Sequence, residues 1–600
     1  MRLEQKQKRL VRLRRTLRLI WESNPWIANA GFILVVIQAA LPILLLFLIK
    51  LIVDTLAASS GSPSAAPFRE IAELVLLAAV VAIAESLAAA ASRIVGVWQS
   101  EAVSERLHDL IHAKSIEVEL GFYEDARHRD TLHRAQQLAP FRPNRLVSSL
   151  HDTARNVIAV IALAGVLASF HWLIVPIMVL SSLPGLILRL KEAPRFYDWW
   201  QRHTALERLA RHLGEILTTA PFAQELRLYQ LGGYFRRRFL DTRRAMREAS
   251  RRVTLRRVSS DFVTETISIC GLFGVFLLLG LQTLNGAISL GGLVISFQAL
   301  QRAWTHFGAV LRGLTELRED DLLLQDLYKF LDLRPQVTTP EFPTAMRASA
   351  VPGIQLRDVR FRYPGADHDA LDGITLDIAP GEHVAVVGHN GSGKSTLIKL
   401  ISRLYDPVQG SIMLDGIDLR QLAIADIRST ITVVTQDTVR YQETARDNIR
   451  FGARDLSASD AMIESAARRS GAAAVIARLP AGYATMLGNS FDGARELSHG
   501  EWQKVSLARG FVRDASVILL DEPTSAMDPH AEEEVLRGFT EIARGRTTIV
   551  ISHRLSTVMA TDRIYVLDGG RIAESGTHAE LMRMQGIYAD MFEIQAARYR

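Results

Sequence analysis

The chain has 600 residues, 48% of them hydrophobic, and a formal net charge of +6 with an isoelectric point near 9.4. That length is too great for one domain, and a single cysteine, Cys270, excludes a disulfide framework and a cysteine-based metal site. The hydrophobic residues are unevenly distributed. Long apolar runs fill residues 26–310, whereas the sequence after residue 350 has the mixed pattern of a soluble α/β domain.

Six apolar runs predict six membrane-spanning helices. Each is close to the about 20 residues that a helix needs to cross a bilayer, provided that the third run begins near Ala154. Buried core helices of a soluble protein are the alternative, but six such runs favour the membrane. The predicted spans are Ile27–Val53, Ile71–Trp98, Val157–Phe170, Trp172–Leu190, Phe262–Leu281 and Leu290–Val310.

Basic residues predict how these spans are oriented. Residues 1–19 contain eight Lys or Arg and one Glu, and the long segments 99–153 and 191–261 are rich in Arg. Because cytoplasmic segments carry the excess of positive charge, both termini and both long loops are expected in the cytoplasm. Contact with anionic lipid then explains the basic composition, and no nucleic-acid partner is expected. A mitochondrial transit peptide is the alternative for the N-terminus, but residues 1–22 contain no Ser.

A phosphate-binding loop follows a strand predicted at His383–Val387. Its sequence matches G-x-x-x-x-G-K-[ST], and a helix-like segment follows it, which is the context that distinguishes such a loop from a structural turn. Its glycines let backbone N–H groups surround phosphate oxygens. Lysine reaches the terminal phosphates and the following hydroxyl holds Mg²⁺. The residues are Gly388, His389, Asn390, Gly391, Ser392, Gly393, Lys394, Ser395 and Thr396.

Two carboxylates, Asp521 and Glu522, follow the apolar run Val517–Leu520. An aspartate at the end of such a strand holds Mg²⁺ in P-loop enzymes, and the adjacent Glu522 can act on an attacking water. Gln436 and His553 each follow a further apolar run, and each would be a weak signal by itself.

In this order and spacing, the motifs resemble the ATPase domain of ABC transporters from about Ile354 to the C-terminus. The resemblance implies ATP and Mg²⁺ as cofactors, with Glu522, His553, Gln436 and Lys394 as catalytic residues. It makes Ser395, Gln436 and Asp521 the magnesium ligands. Tyr363 is then the aromatic that stacks on adenine, or else an aromatic at a strand edge. Ser525–Asp528 resembles the D-loop, in which Asp528 lies.

The signature segment departs from the family pattern. The family sequence L-S-G-G-Q is replaced by Leu497, Ser498, His499, Gly500 and Glu501. In the family this segment binds the γ-phosphate of a nucleotide held by the other subunit, so Ser498, Gly500 and Glu501 are expected to contact ATP. His499 either aids binding when protonated or points away from the nucleotide.

Six spans followed by one ATPase domain resemble an ABC half-transporter of the exporter fold. The expected fold is an α-helical transmembrane domain joined to a C-terminal α/β P-loop ATPase domain. The expected divisions are a basic N-terminal segment (1–25), a transmembrane domain (26–325), a linker (326–352) and a nucleotide-binding domain (353–600). Turns near Phe122–Asp125 and Pro221–Tyr234 resemble the family's coupling helices.

One ATPase domain in each chain implies a dimer, because the family builds each ATP site from two domains. An identical partner is favoured, and a heterodimer stays open. The implied function is ATP-driven efflux of an amphipathic small molecule, peptide or lipid by a multi-pass protein of a bacterial inner membrane. An importer with the exporter fold and a nucleotide-gated channel or regulator are the alternatives. Soluble ABC ATPases are excluded by the spans.

Charged and polar residues within the spans are candidates for the substrate cavity, because ionisable groups are costly in a bilayer. They are Glu85, Glu265, Arg302 and His306. Facing water or pairing with one another is the alternative for these residues.

Overall fold

The computed structural model describes residues 2–59, 65–124, 142–285, 290–346, 351–525 and 527–597. The chain forms two compact units. The first comprises Met1–Ile116 and Asp130–Leu333, and the second comprises Glu117–Arg129 and Arg334–Arg600. The second unit therefore includes a short segment that lies within the N-terminal half of the sequence.

The first unit is helical throughout its described residues. A basic helix precedes six helices that are each at least 29 residues long. The helices are α1 (Arg2–Ser23), α2 (Pro25–Ser59), α3 (Ala65–Glu117), α5 (Arg142–Phe170), α6 (Ile174–Thr218), α7 (Ala220–Leu228), α8 (Gly232–Leu284) and α9 (Leu290–Leu331). Helix α4 (Leu120–Glu124) belongs to the second unit.

Four helices in the described part of the chain are long and apolar enough to cross a membrane. The candidate spans are Pro25–Leu56, Phe68–Glu117, Arg145–Ser169 and Gly232–Leu284. The predicted fourth span coincides with a shorter apolar stretch, Ile174–Leu188. The predicted sixth span, Leu290–Val310, lies in α9, which is not among these four candidates. The count of six spans thus stays a prediction.

Helices α5, α6, α8 and α9 share the core of the first unit. Leu167, Ile174, Leu279 and Leu300 are fully buried in one apolar cluster. Small residues permit close packing here, because a Cβ on Gly271 of α8 would lie only 2.6 Å from Cβ of Ser181 in α6. Packing of this kind is typical of helices that associate in a bilayer.

The second unit contains two sheets. One has the strand order β2-β1-β4-β5, and the other has the order β10-β9-β3-β8-β7-β6. Strands β6, β7, β8, β3 and β9 pair in parallel. The strands are β1 (Ile354–Phe361), β2 (Leu371–Ile378), β3 (His383–Val387), β4 (Gln409–Leu414), β5 (Ile417–Asp418), β6 (Ile431–Val434), β7 (Val517–Asp521), β8 (Thr547–Ile551), β9 (Arg563–Asp568) and β10 (Arg571–Gly576).

The central parallel strands are short apolar runs that are buried on both faces, as expected of a sheet covered by helices. The covering helices are α10 (Lys394–Ile401), α11 (Ile424–Thr430), α12 (Ala445–Arg450), α13 (Asp460–Arg469), α14 (Ala472–Ile476), α15 (His499–Phe511), α16 (Pro529–Ala543), α17 (Leu555–Met559), α18 (His578–Met584) and α19 (Ile587–Ala596). The α/β fold predicted for this part of the chain is confirmed. Parallel strands bring their carboxyl ends to one edge, and binding sites form there.

Helix α4 packs within the second unit. Leu120 packs against the core of the first sheet. The Glu124 carboxylate accepts a hydrogen bond from the hydroxyl of Tyr405 and lies 2.9 Å from Nζ of Lys399. These contacts attach the first predicted coupling turn to the ATPase fold, although its last residue, Asp125, lies outside the described residues.

Candidate ATP site

The phosphate-binding loop connects β3 to α10. Gly388 has φ of 151° and Gly393 has φ of 104°, in a region of backbone space that favours glycine. A Cβ on Gly388 would also lie 2.1 Å from the carbonyl oxygen of Leu567. This position therefore admits no side chain, which accounts for the glycine at the start of the loop.

Lys394 is the first residue of α10 and is 7% exposed. Its Nζ donates hydrogen bonds of 2.9 Å to the carbonyl oxygens of Gly388 and His389. Burial lowers the pKa of Lys394, and the carboxylates of Glu522 and Asp521 oppose that shift. The ammonium is thus held across the mouth of the loop, where a terminal phosphate would lie.

Glu522 has a constrained backbone. Its φ is +49°, which costs a residue with a side chain about 1–3 kcal/mol. The N–H of Glu522 donates to the carbonyl oxygen of Ile551 at 2.9 Å, and Nε2 of Gln503 donates to the Glu522 carbonyl oxygen at 3.1 Å. The neighbouring strand and the signature helix α15 therefore fix this residue from two sides. Because these hydrogen bonds hold the Glu522 backbone, they also restrict where its side chain can lie.

Two further predicted residues converge on the Glu522 carboxylate. Nε2 of Gln436 donates to Oε2 at 3.2 Å, and Nε2 of His553 lies 3.0 Å from Oε1. Both residues are far from Glu522 in the sequence. They are close in space because Gln436, Glu522 and His553 follow β6, β7 and β8, which are adjacent in the sheet. Burial and the Lys394 charge lower the pKa of His553 below its ordinary value of 6.5, against the opposing effect of Glu522 and Asp521. A neutral imidazole is favoured near pH 7.

Asp521 and Ser395 provide oxygen atoms suited to Mg²⁺. The Ser395 hydroxyl hydrogen-bonds to Asp521, whose pKa is nonetheless raised because its carboxylate is buried. Oδ1 of Asp521 is buried and has no hydrogen-bond partner among the described residues. Magnesium prefers oxygen ligands and neutralises a buried carboxylate. The donor set therefore fits the predicted metal.

Tyr363 lies beside the phosphate-binding loop. Its hydroxyl forms a 3.0 Å hydrogen bond with Oγ1 of Thr396, and Nζ of Lys399 lies 5.1 Å from the centre of its ring. The Tyr405 ring packs edge-on against it at 5.6 Å. Position and packing suit an aromatic that lies against a base. The Ser392 hydroxyl, also in the loop, is buried without a partner among the described residues.

The signature segment begins α15. Ser498 caps the helix, and the Glu501 carboxylate accepts a 2.9 Å hydrogen bond from the Ser498 backbone N–H in return. Glu501 also pairs with Arg478 at 3.0 Å. These contacts give Glu501 a structural use in addition to the nucleotide contact predicted for it. Gly500 lies in the first turn of the same helix.

The His499 side chain contacts an arginine. Its Nδ1 lies 3.2 Å from Nη2 of Arg440, whose Nη1 is 3.4 Å from Oε1 of Glu496. Arginine can only donate, so Nδ1 must accept and the remaining Nε2 carries the proton. No local sequence pattern indicates this arginine, because 59 positions separate the two residues.

Asp528 caps α16, since its Oδ1 accepts hydrogen bonds of 3.0 Å from the N–H groups of His530 and Ala531. Ala526 of the predicted D-loop lies outside the described residues. Gln503, which sequence reasoning did not single out, links α15 to both Glu522 and Ser525. Only its place in the helix after the signature could have suggested that role.

The four candidates in the membrane domain do not form one cluster. Arg302 donates to the carbonyl oxygen of Pro42 at 3.3 Å, and Nδ1 of His306 lies 2.8 Å from Oδ1 of Asn156. Glu265 lines a cavity between helices, whereas Glu85 is half-buried elsewhere. Arg302 and His306 are thus engaged in contacts between helices.

Comparison with known families gives two matches. Residues 28–303 match the ABC transporter transmembrane region, and residues 371–525 match the ABC transporter family. The first match corresponds to the predicted membrane domain, and the second includes most of the motifs described above.

Relatives and solved structures agree with these matches. The chain is 33% identical over 450 residues to the ATP-dependent lipid A-core flippase of Chromohalobacter salexigens, covering 74% of each chain. It is 27% identical over 493 residues to the subtilin transport ATP-binding protein SpaT of Bacillus subtilis, covering 82% of this chain and 80% of that protein. The structure of a bacterial Atm1-family ABC exporter with ATP bound superimposes with a TM-score of 0.81 at 26% identity, covering 95% of this chain and 98% of that one.

The membrane and ATPase matches lie in one chain, in the order and over the length of a half-transporter. This protein therefore belongs to the ABC transporter family: it is an integral membrane exporter of the half-transporter type that binds ATP and couples its hydrolysis to efflux.

Proposed function

We propose that two identical chains form the working exporter and that each of its two ATP sites combines Gly388–Thr396 of one chain with Ser498–Glu501 of the other. The observation that carries this proposal is the convergence of Gln436 and His553 on the Glu522 carboxylate. A full catalytic set in each chain makes both sites of a homodimer competent. In a heterodimer, by contrast, one of the two chains could lack part of the catalytic set.

In the proposed chemistry, Glu522 accepts a proton from the water that attacks the γ-phosphate. Its left-handed backbone and its contacts with Gln436 and His553 hold the carboxylate in place. Lys394 binds the terminal phosphates, and His553 stays neutral to donate or accept a hydrogen bond there. Ser395, Gln436 and Asp521 hold Mg²⁺, which neutralises charge on the phosphates. Tyr363 stacks on adenine.

ATP then acts by joining two nucleotide-binding domains. Binding favours the state in which the domains are closed, and hydrolysis removes the γ-phosphate contacts that favour it. Such a two-state equilibrium can turn a substrate cavity from the cytoplasmic side to the outside. The proposed domain limits are 1–25, 26–325, 326–352 and 353–600, with helix α9 extending to Leu331 inside the linker.

We place the protein in a bacterial inner membrane with six spans and both termini in the cytoplasm, on the charge distribution given above. Its substrate is an amphipathic lipid, peptide or small molecule taken from the cytoplasm or inner leaflet. The lipid A-core flippases and the subtilin transporter among its relatives support lipid and peptide classes equally.

The proposal is tested in inside-out vesicles that contain the purified chain. Mg-ATP should drive accumulation of a fluorescent amphiphile inside the vesicle, and EDTA or a non-hydrolysable ATP analogue should abolish it. The Lys394→Ala chain is the matched control. Transport that is unaffected by EDTA would refute the Mg-ATP requirement, and ATP-driven loss of amphiphile from preloaded vesicles would indicate an importer.

A further inference from the structure

A cavity of about 290 Å³ lies between helices α6, α8 and α9 of the membrane domain. Helix α6 contributes small residues to its wall, and a Cβ on Gly185 would lie 3.3 Å from Cβ of Thr264 in α8. The polar and aromatic residues that line it are Ser182, Thr264, Glu265, Ser268, Trp304, Thr305 and Arg312. Apart from Glu265, these residues were not candidates on sequence grounds.

Two opposite charges line this cavity without neutralising each other. Glu265 is on α8 and Arg312 is on α9, and neither forms an ion pair or hydrogen bond with any described residue. The guanidinium of Arg312 lies over Gly308, because a Cβ there would be 3.6 Å from Nη1. An acid and a base that face one cavity separately can bind the two charges of a single ligand.

The level of the cavity indicates what kind of ligand reaches it. Glu265 is near the start of the predicted span Phe262–Leu281, and Arg312 follows the end of the span Leu290–Val310. In the proposed orientation, both positions are at the cytoplasmic boundary of the bilayer, where lipid headgroups of the inner leaflet lie. Both side chains are exposed, so a ligand at the level of the headgroups can reach them.

The size and lining of the cavity limit the ligand further. A space of about 290 Å³ holds a headgroup but not acyl chains. Ile269 lines the same cavity and is 47% exposed, which leaves an apolar exit for a tail. Trp304 supplies an aromatic surface, which attracts an ammonium group. The hydroxyls of Ser182 and Ser268 can bond phosphate oxygens.

We propose that this cavity binds the zwitterionic headgroup of a phospholipid-like substrate, with its ammonium at Glu265 and its phosphate at Arg312. The assignment rests on the proposed function and specifies the substrate class for it. A headgroup bound here would be taken from the inner leaflet before the cavity turns outward.

The test uses the purified full-length protein in nanodiscs of phosphatidylglycerol, with ATPase stimulation as the readout. Four short-chain amphiphiles with matched tails are titrated: phosphatidylethanolamine, phosphatidic acid, an alkylamine and diacylglycerol. Charge-assisted hydrogen bonds contribute enough that phosphatidylethanolamine should stimulate at a concentration about tenfold lower than phosphatidic acid or the alkylamine, each of which carries charge of one sign only.

The variants separate the two charges. Glu265→Gln should raise the half-maximal concentration of phosphatidylethanolamine about tenfold and leave that of phosphatidic acid unchanged. Arg312→Gln should weaken both phosphate-bearing lipids and leave the alkylamine unchanged. Arg252→Gln, on the exposed surface of α8 and paired with Glu248, is the control that should match the wild type.

Equal half-maximal concentrations for all four compounds would overturn the proposal, as would no response to phosphatidylethanolamine. If a cationic peptide stimulated the ATPase activity where phosphatidylethanolamine did not, and did so only with Glu265 present, the substrate class would be peptide rather than lipid. The four titrations of the wild-type protein test the proposal by themselves, so it stays testable even if a variant folds poorly. Failure of the proposed function is recognised separately, as loss of Mg-ATP-driven transport of every amphiphile.

Discussion

Glu124 accepts a hydrogen bond from the hydroxyl of Tyr405, although 281 positions separate the two residues in the sequence. The same carboxylate lies 2.9 Å from Nζ of Lys399, whose ammonium is over the ring of Tyr363. A short helix from the N-terminal half of the chain is therefore connected, within the second unit, to the aromatic that we propose for adenine stacking. Burial and Glu124 raise the pKa of Tyr405, so its hydroxyl stays protonated as the donor.

We predict that Glu124→Ala destabilises the ATPase fold by about 1–3 kcal/mol, because it leaves the buried Tyr405 hydroxyl without its acceptor. Thermal unfolding of the detergent-solubilised chain measures the effect. Tyr405→Phe should reduce the stability less than Glu124→Ala, since it leaves no buried hydroxyl without an acceptor. In the Tyr405→Phe background, Glu124→Ala should for the same reason have little further effect. Glu464→Ala, whose nearest basic partner is 3.8 Å away on an exposed surface, is the control. If the stability losses of the two single variants simply added in the double variant, the hydrogen bond between Glu124 and Tyr405 would be refuted.

Local features of the fold were predictable and distant contacts were not. The strand at His383–Val387 was predicted from its apolar run and is observed with the same limits, because a buried parallel strand depends on local composition. The contacts of Gln503 with Glu522 and of Arg440 with His499 depend on tertiary packing, and no local pattern indicates them. The left-handed backbone of Glu522 likewise follows from its neighbours in the sheet rather than from its own preference.

A second prediction concerns the altered signature. If His499 donates through Nε2 to a phosphate on the partner chain, Arg440 acts by holding the imidazole in that tautomer. His499→Gly and Arg440→Gln should then each weaken ATP-dependent dimer closure by about three- to tenfold, and the double variant should be no worse than His499→Gly. Light scattering of the Glu522→Gln background measures closure. Unchanged closure in His499→Gly would show that the side chain points away from the nucleotide.

A third prediction concerns pH. Since burial and Lys394 lower the pKa of His553, the imidazole stays neutral until the pH falls below the ordinary histidine value of 6.5. ATPase activity at saturating Mg²⁺ should therefore keep its plateau through pH 6.5 and decline only below it. Below saturating Mg²⁺, protonation of Asp521, whose pKa burial raises, would add a decline in activity that higher Mg²⁺ moves to lower pH. An acid limb centred above 6.5 and insensitive to Mg²⁺ would contradict this arrangement.

A fourth prediction follows from sites shared between chains. Lys394→Ala removes the phosphate-binding amine of a chain's own site, and Ser498→Arg blocks the site that its signature completes. A dimer of one chain of each kind keeps one intact site, so mixing two inactive proteins should restore part of the ATPase activity. Differently tagged chains and tandem purification show that mixed dimers form. Mixed dimers without activity would refute the shared site.

The most direct test of the account is ATP turnover by Glu522→Gln in the reconstituted protein. The amide keeps the size of the side chain and a hydrogen-bonding contact with Gln436 but cannot accept the proton of the attacking water. We predict that this variant binds Mg-ATP, accumulates as a closed dimer and loses at least about a hundredfold of its steady hydrolysis and its ATP-driven transport. Hydrolysis within a few fold of the wild type would contradict the assignment of Glu522 as the base.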